Sequence, residues 1–133
     1  MIHTTVMNDS RKIKILVIDD DPFILDMYVL KFKDQGFEID TATDGKIGLE
    51  KIKIFKPDIV LLDVVMPKMD GFDVMKKLKE ENESRAFKIL FLTNFGQKED
   101  VERGIQLGAD GYIIKAHFTP SEVVVKVKEI LKI

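Results

Sequence analysis

The sequence predicts an α/β fold: a doubly wound, five-stranded parallel sheet flanked by five helices. Three observations predict it. Short, continuously apolar segments alternate with amphipathic ones, turn residues separate the two kinds, and a length of 133 residues suits one domain. Apolar strands between helices indicate a parallel sheet covered on both faces, with right-handed crossovers.

Five segments have the patterns of strands. Four are continuously apolar, as buried strands are, and one alternates like a half-exposed edge strand. In chain order they are 13–18 (IKILVI), 37–42 (FEIDTA, the edge strand), 58–63 (DIVLLD), 88–93 (KILFLT) and 111–115 (GYIIK).

Segments in which apolar residues have helical spacing lie between the predicted strands and after the last one. The predicted helices cover 22–35, 44–55, 72–82, 97–107 and 120–132. Asp21 as N-cap and Pro22 in the first turn start the first helix, and Gly36 ends it. Three adjacent valines in the last segment favour a strand, but Thr119 and Glu122 have the spacing of a capping box, which decides for a helix.

The composition excludes several classes of protein. Acidic and basic residues nearly balance at a net charge of -2, which gives no general attraction to nucleic acid. The absence of cysteine excludes disulfides and thiolate metal sites. The sequence shows neither a membrane-length apolar segment nor a signal peptide. We therefore expect a cytoplasmic protein in which residues 1–12 form a flexible extension and 13–133 the domain.

Polar side chains follow the predicted strands where they end. Because the carboxyl ends of parallel strands border the ligand-binding crevice of an open α/β sheet, we expect these side chains to converge. They are Asp19, Asp20 and Asp21 after the first strand, Asp63 at the third, Thr93 at the fourth and Lys115 at the fifth. Two carboxylates about 4 Å apart repel each other by roughly 4 kcal/mol at an effective dielectric constant near 20, so such a cluster requires a cation.

The residue types in this cluster indicate a chemistry. A site of oxygen ligands without cysteine or histidine suits Mg²⁺, or alternatively Mn²⁺. A carboxylate can also act as a nucleophile and form an aspartyl phosphate, whose oxygens Thr93 and Lys115 could bind. Taken singly, Asp21 is explained as a helix cap and Asp63 as a strand-end cap. Thr93 could likewise be an ordinary β-branched strand residue and Lys115 a surface charge. Their occurrence together at the strand ends favours function.

The segment DIVLLDVVMPKMDGFD, 58–73, resembles the phosphoacceptor segment of the receiver domains of bacterial two-component response regulators. ILVIDDDP, ILFLT and GADGYIIK lie at the separations found in that family, and the resemblance covers 13–132. It implies the CheY-like, flavodoxin-like fold with strand order 2-1-3-4-5. It also implies a phosphorylation-activated signalling switch rather than an enzyme that turns over a substrate.

Carried over residue by residue, the resemblance implies that Asp63 accepts a phosphoryl group from a histidine kinase or phosphotransfer protein. Asp20 would bind Mg²⁺ directly and Asp19 largely through water, with Asp63 and the backbone carbonyl of Val65 completing the protein ligands.

The same resemblance assigns a response to the phosphoryl group. Thr93 would donate a hydrogen bond to it, Lys115 would pair with it, and Tyr112 would be the aromatic switch that turns inward when Thr93 moves. The face formed by 97–132 would then bind a downstream protein or a second copy of the chain. Tyr112 as an ordinary core or surface aromatic is the alternative.

Two residues depart from the family pattern, and two others influence how water reaches the phosphorylated site. Ala116 follows Lys115 where proline, often after a cis peptide bond, is usual. Asn94 follows Thr93 where a small residue is typical. Val65 and Phe95 occupy positions that influence water access to the acyl phosphate, and their apolar side chains predict slow self-dephosphorylation.

Two other functions are considered. DDDPF resembles the start of haloacid-dehalogenase-type phosphatases, with Asp19 as nucleophile and Asp21 as acid/base, but Phe23 replaces the expected Thr or Val and Asp63 is left without a role. A receiver-like module that binds partners without phosphorylation is the second alternative, which the departures at Asn94 and Ala116 keep open. The sequence identifies neither the kinase nor the target, and leaves open whether the domain stands alone or belongs to a longer regulator.

Overall fold

The computed structural model describes residues 11–81 and 85–133. Within them, five strands form one parallel sheet: β1 (Lys14–Ile18), β2 (Glu38–Ala42), β3 (Ile59–Leu62), β4 (Lys88–Thr93) and β5 (Gly111–Ile114). Their order in the sheet is β2-β1-β3-β4-β5, and each neighbouring pair is parallel. This confirms the predicted fold class and strand order.

Helices follow the strands in regular alternation through the described ranges. They are α1 (Pro22–Asp34), α2 (Gly45–Phe55), α3 (Gly71–Glu81), α4 (Lys98–Gln106) and α5 (Pro120–Leu131), with a 3-10 turn at Lys115–His117 before the last. These bounds agree with the predicted ones to within one residue, except that the predicted end of α3, residue 82, lies outside the described residues.

Side-chain caps define the helix starts that the sequence suggested. Asp21 Oδ1 accepts a hydrogen bond from the Phe23 amide at 2.9 Å, with Pro22 in the first turn of α1. The Thr119 hydroxyl accepts from the Glu122 amide at 3.2 Å, and the Glu122 carboxylate accepts from the Thr119 amide at 2.9 Å. This capping box makes the valine-rich last segment helical, as predicted.

Two apolar layers cover the sheet because strand side chains alternate between its faces. Ile15 and Val17 of β1 belong to the layer that includes Phe32 of α1 and the buried valines of α5. Leu16 and Ile18 belong to the opposite layer, which α2 and α3 share. The sheet is thereby fixed between helices, and its carboxyl edge is free to carry polar side chains.

The predicted N-terminal extension lies mostly outside the described residues. Arg11, which is described, forms a two-pronged ion pair with Asp58, with N–O distances of 3.1 and 3.2 Å. The flexibility of residues 1–12 stays a prediction. In the described part of the chain, no helix is both long and apolar enough to cross a bilayer.

Candidate functional site

The carboxyl edge of the sheet contains a pocket that brings the predicted site residues together. Those that line it include Asp19, Asp20, Asp63, Val65, Thr93 and Lys115. Backbone hydrogen bonds place the acids beside one another: the Asp19 amide donates to the Ala42 carbonyl and the Asp63 amide to the Ile18 carbonyl, both at 3.0 Å. The sheet pairing therefore continues one residue past β1 and β3 and carries both carboxylates into the pocket.

The three consecutive acids divide into three different environments. Asp19 is only 2% exposed; its Oδ1 accepts from the Asp21 amide at 2.9 Å, and its Oδ2 bonds Lys115 Nζ at 2.5 Å. Asp20 is exposed to solvent beside it. Asp21 caps α1. The cost of three adjacent charges is reduced because one is paired, one is hydrated and one is bonded to a helix amide.

The donor set of the pocket fits a hard divalent cation. One carboxylate oxygen from each of Asp19, Asp20 and Asp63 lies within 4.8 Å of the other two. Mg²⁺ takes one or two protein carboxylates and keeps several waters, and the exposed side of Asp20 leaves room for them. The Val65 amide donates to Asp63 Oδ1 at 3.3 Å; its carbonyl as a metal ligand stays a prediction.

Lys115 connects the two buried carboxylates. Its Nζ bonds Asp19 Oδ2 and also lies 3.1 Å from Asp63 Oδ2, with only 12% of the side chain exposed. Burial lowers the pKa of the ammonium, but the hydrogen bond with Asp19 and the charge of Asp63 outweigh that effect and raise it above its ordinary value. Burial raises the pKa of Asp19, against the lowering effect of the hydrogen bonds from Lys115 and the Asp21 amide.

Two hydrogen bonds to the backbone of Phe95 connect Thr93 with Tyr112. The buried Thr93 hydroxyl accepts from the Phe95 amide at 3.1 Å, and the Phe95 carbonyl accepts from the Tyr112 hydroxyl. A hydroxyl group has one proton to donate besides the lone pairs that accept, so Thr93 can still donate a hydrogen bond to a ligand in the pocket.

The Tyr112 ring is half-buried against the core. Its centroid lies 5.4 Å from that of Phe91, and a Cβ at Gly104 of α4 would come within 3.0 Å of the ring, so glycine permits this packing. Burial, with smaller contributions from the charges of Asp100 and Asp63, raises the pKa of Tyr112 to about 12. Both the hydroxyl and the ring of Tyr112 thus contact the segment that follows β4.

Sequence reasoning missed two features of the site. Phe95 was singled out for its side chain, whereas its backbone amide and carbonyl make the connection between Thr93 and Tyr112. Gly71 packs against the loop that carries Asp63: a Cβ there would meet the Asp63 carbonyl and lie 2.9 Å from Val64 Cα. The threonine two residues before Phe95 could have suggested the first bond, but no local signal identifies the bond to Tyr112.

The fold and pocket define a doubly wound α/β protein with an acidic, lysine-containing site at the carboxyl edge of its sheet. The family model for the response regulator receiver domain matches residues 15–128. The chain belongs to this family. Its members are signalling components of two-component systems, in which phosphorylation changes the state of the domain.

Relatives with known names support this assignment. The chain is 40% identical over 119 residues to the alkaline phosphatase synthesis transcriptional regulatory protein PhoP of Bacillus subtilis, covering 90% of this chain and 48% of that protein. It is 35% identical over 124 residues to the probable transcriptional regulatory protein TcrX of Mycobacterium tuberculosis, covering 93% and 52%. The chain therefore spans about half the length of these curated relatives.

Solved structures share the whole fold. The chemotaxis protein CheY4 of Vibrio cholerae has a TM-score of 0.83 at 30% identity, covering 90% of this chain and 99% of that one. A CheY-like receiver domain protein of Methanospirillum hungatei has a TM-score of 0.84 at 29% identity, covering 92% and 95%.

Proposed function

We propose that the domain is a cytoplasmic phosphorylation switch in which Asp63 accepts the phosphoryl group and Asp19, Asp20 and Asp63 hold Mg²⁺. One observation carries the proposal: three carboxylates lie within 4.8 Å of one another, and the Lys115 ammonium lies 3.1 Å from the Asp63 carboxylate. This arrangement combines a nucleophile with the charges needed to bring an anionic donor to it.

In the proposed transfer, an Asp63 carboxylate oxygen forms a new O–P bond while the N–P bond of a donor phosphohistidine breaks. The leaving imidazole nitrogen takes the electron pair of that bond and a proton from water, so that neutral histidine is released. Bound Mg²⁺ supplies positive charge that offsets the charge on the phosphoryl oxygens. Lys115 binds one of these oxygens and the Thr93 hydroxyl donates to another. The donor is a histidine kinase or a phosphotransfer protein.

The proposed response follows the hydrogen bonds from Thr93. When the Thr93 side chain rotates toward the phosphoryl group, its oxygen moves away from the Phe95 amide, which loses its acceptor, and the Phe95 carbonyl moves relative to the Tyr112 hydroxyl. The ring of Tyr112 then changes its packing against α4, so that the 97–132 face presents a different surface to a target protein or a second copy. Because the relatives, of whose length this chain covers about half, are named transcriptional regulators, control of transcription is the proposed output.

The phosphoryl group is expected to persist. Val65 and Phe95 flank the pocket with exposed apolar side chains, which offer no group to orient an attacking water. We therefore expect a phosphorylated lifetime of minutes or longer after the donor is removed. A lifetime of seconds, measured by intact mass over time, would contradict this part of the proposal.

The rival phosphatase mechanism meets obstacles in the site. Its acid/base candidate, Asp21, already accepts the Phe23 amide as a helix cap, and the buried pair of Asp63 and Lys115 is left without a role. Incubation with a generic phosphate ester tests it: we expect no turnover. The phosphorylation-independent binding module remains the second candidate, because Asn94 and Ala116 depart from the family pattern.

The test is intact mass after incubation with acetyl phosphate and Mg²⁺. We expect one added phosphoryl group in the native protein, none after chelation of the metal, and none in Asp63→Asn. Asp34→Asn is the matched control, since Asp34 is an exposed acid at the far end of α1 and should leave labelling intact. Labelling of Asp63→Asn would refute Asp63 as acceptor. Absence of labelling, with metal bound, would favour the binding module.

A further inference from the structure

The two departures from the family pattern contact each other. The Ala116 amide donates a hydrogen bond to Asn94 Oδ1 at 2.9 Å, across 22 residues of sequence. Asn94 follows Thr93 at the end of β4, and Ala116 follows Lys115 at the end of β5. A proline at 116 would have no N–H to donate, and a small apolar residue at 94 would have no acceptor. The two departures are therefore complementary.

The hydrogen bond between Asn94 and Ala116 joins the segments that follow β4 and β5, beyond the last paired residues of the sheet. The last paired residues of β4 and β5 are Thr93 and Ile114. The chain then enters the 3-10 turn, where the Phe118 amide donates to the Lys115 carbonyl at 3.2 Å. The Asn94 side chain holds this turn against β4 one residue past Lys115.

We propose that Asn94 is a positioning residue for phosphoryl transfer: through the Ala116 amide it fixes the Lys115 backbone, so that the ammonium stays at Asp63. The bond restrains the turn as a proline ring would by fixing its own φ angle. The inference rests on the proposed function, since it assigns Asn94 a role in that transfer. It also assigns the Asn94 side chain a use other than obstructing the pocket that it lines.

Two substitutions separate positioning from obstruction. Asn94→Ala removes both the acceptor and most of the bulk, whereas Asn94→Leu removes the acceptor and keeps the bulk. If Asn94 positions Lys115, both variants take up phosphoryl groups from acetyl phosphate about fivefold more slowly than the native protein, as loss of one hydrogen bond predicts. Asn94 and Ala116 are both exposed, so the melting temperature of each variant stays within about 4 °C of native, the shift expected for loss of a single hydrogen bond.

A double-mutant cycle tests whether Asn94 acts through Ala116. Ala116→Pro removes the donor but fixes the φ angle of the turn through the proline ring. It should therefore slow labelling of the native protein less than Asn94→Ala does, and in the Asn94→Ala background it should restore part of the lost rate. A second readout is independent of phosphorylation: hydrogen exchange of the Ala116 amide should become about fivefold faster in Asn94→Ala.

The outcomes distinguish the role from the function on which it rests. Faster labelling of Asn94→Ala with unchanged labelling of Asn94→Leu would show obstruction and overturn the proposal. Unchanged rates in both variants, or additive effects in the cycle, would overturn it while leaving the phosphorylation switch intact. A native protein that takes up no phosphoryl group would overturn the proposed function and the role together, whatever the Ala116 amide shows.

Discussion

The two sides of the acidic pocket differ in how firmly they are held. On the side of β1, β3 and α1, every residue of β3 is buried, and α1 inserts Leu25, Tyr28 and Phe32 into the core. On the side of β5 and α4, Ile113 is the buried residue of the strand and Gly104 that of the helix, both elements lying within the described ranges. Tyr112 is secured there by a hydrogen bond and partial ring packing.

In the proposed switch, this difference gives the two sides different roles: the side of β1, β3 and α1 keeps the acids in place, and the side of β5 and α4 changes conformation when a ligand binds. Carboxylates kept close against their repulsion need a rigid framework, and the acids extend from the buried side. A surface that changes with ligand must have a low cost of rearrangement, which few buried apolar contacts provide. Lys115, at the end of β5, reaches the acids across the pocket, and Thr93, at the end of the buried β4, bonds the segment that leads to α4, so these two residues connect the two sides.

The largest expected effect concerns the framework itself. Phe32 of α1 is 0% exposed and packs edge-on to Phe37 at 5.6 Å between centroids, whereas Ile105 of α4 is 47% exposed. Phe32→Ala should lower the free energy of unfolding by about 3–5 kcal/mol. Ile105→Ala should lower it by about 0.5 kcal/mol. Urea unfolding of both variants measures the contrast, and equal losses would remove the basis of the comparison.

The next effect concerns the cation that connects the two sides. Lys115→Met leaves the carboxylates of Asp19 and Asp63 without their shared ammonium, so their repulsion favours a divalent ion. We expect Mg²⁺ to bind about tenfold more tightly by calorimetry, while phosphorylation becomes slower. Lys33→Met, an exposed change at the far end of α1, is the control and should leave Mg²⁺ affinity unchanged. Weaker Mg²⁺ binding in Lys115→Met would show that Lys115 supports the metal site instead.

The smallest effect concerns the switch residue. The chain has two tyrosines, so Tyr28→Phe isolates Tyr112 in an ultraviolet titration of the phenol. Its midpoint should lie near the pKa of about 12, above the ordinary value of roughly 10. Because folding raises the pKa of Tyr112, its neutral phenol contributes to the free energy of unfolding. This contribution is complete below about pH 10 and is lost as the pH rises through the pKa of the folded state, about 12. A midpoint near the ordinary value would place the Tyr112 hydroxyl in solvent.

Local patterns in the sequence account for the framework better than for the connections across the pocket. Helix bounds were predictable because Asp21 and Thr119 cap within three residues of themselves, and the strand-end acids converge in any parallel sheet. The bonds from Tyr112 to Phe95 and from Ala116 to Asn94 join residues that are 17 and 22 positions apart in the sequence. Their geometry depends on how the chain packs after β4 and β5, which no periodicity or capping motif records.

Backbone amide chemical shifts, compared before and after phosphorylation, test the central claim most directly. With acetyl phosphate and Mg²⁺ in excess, we expect large changes at Phe95, in α4 and in β5, with α1 unchanged beyond its first turn. Asp63→Asn under the same conditions should show only the changes caused by metal. Changes of equal size throughout α1, or none in α4 in a protein that intact mass shows to be phosphorylated, would contradict the division between a fixed and a responsive side.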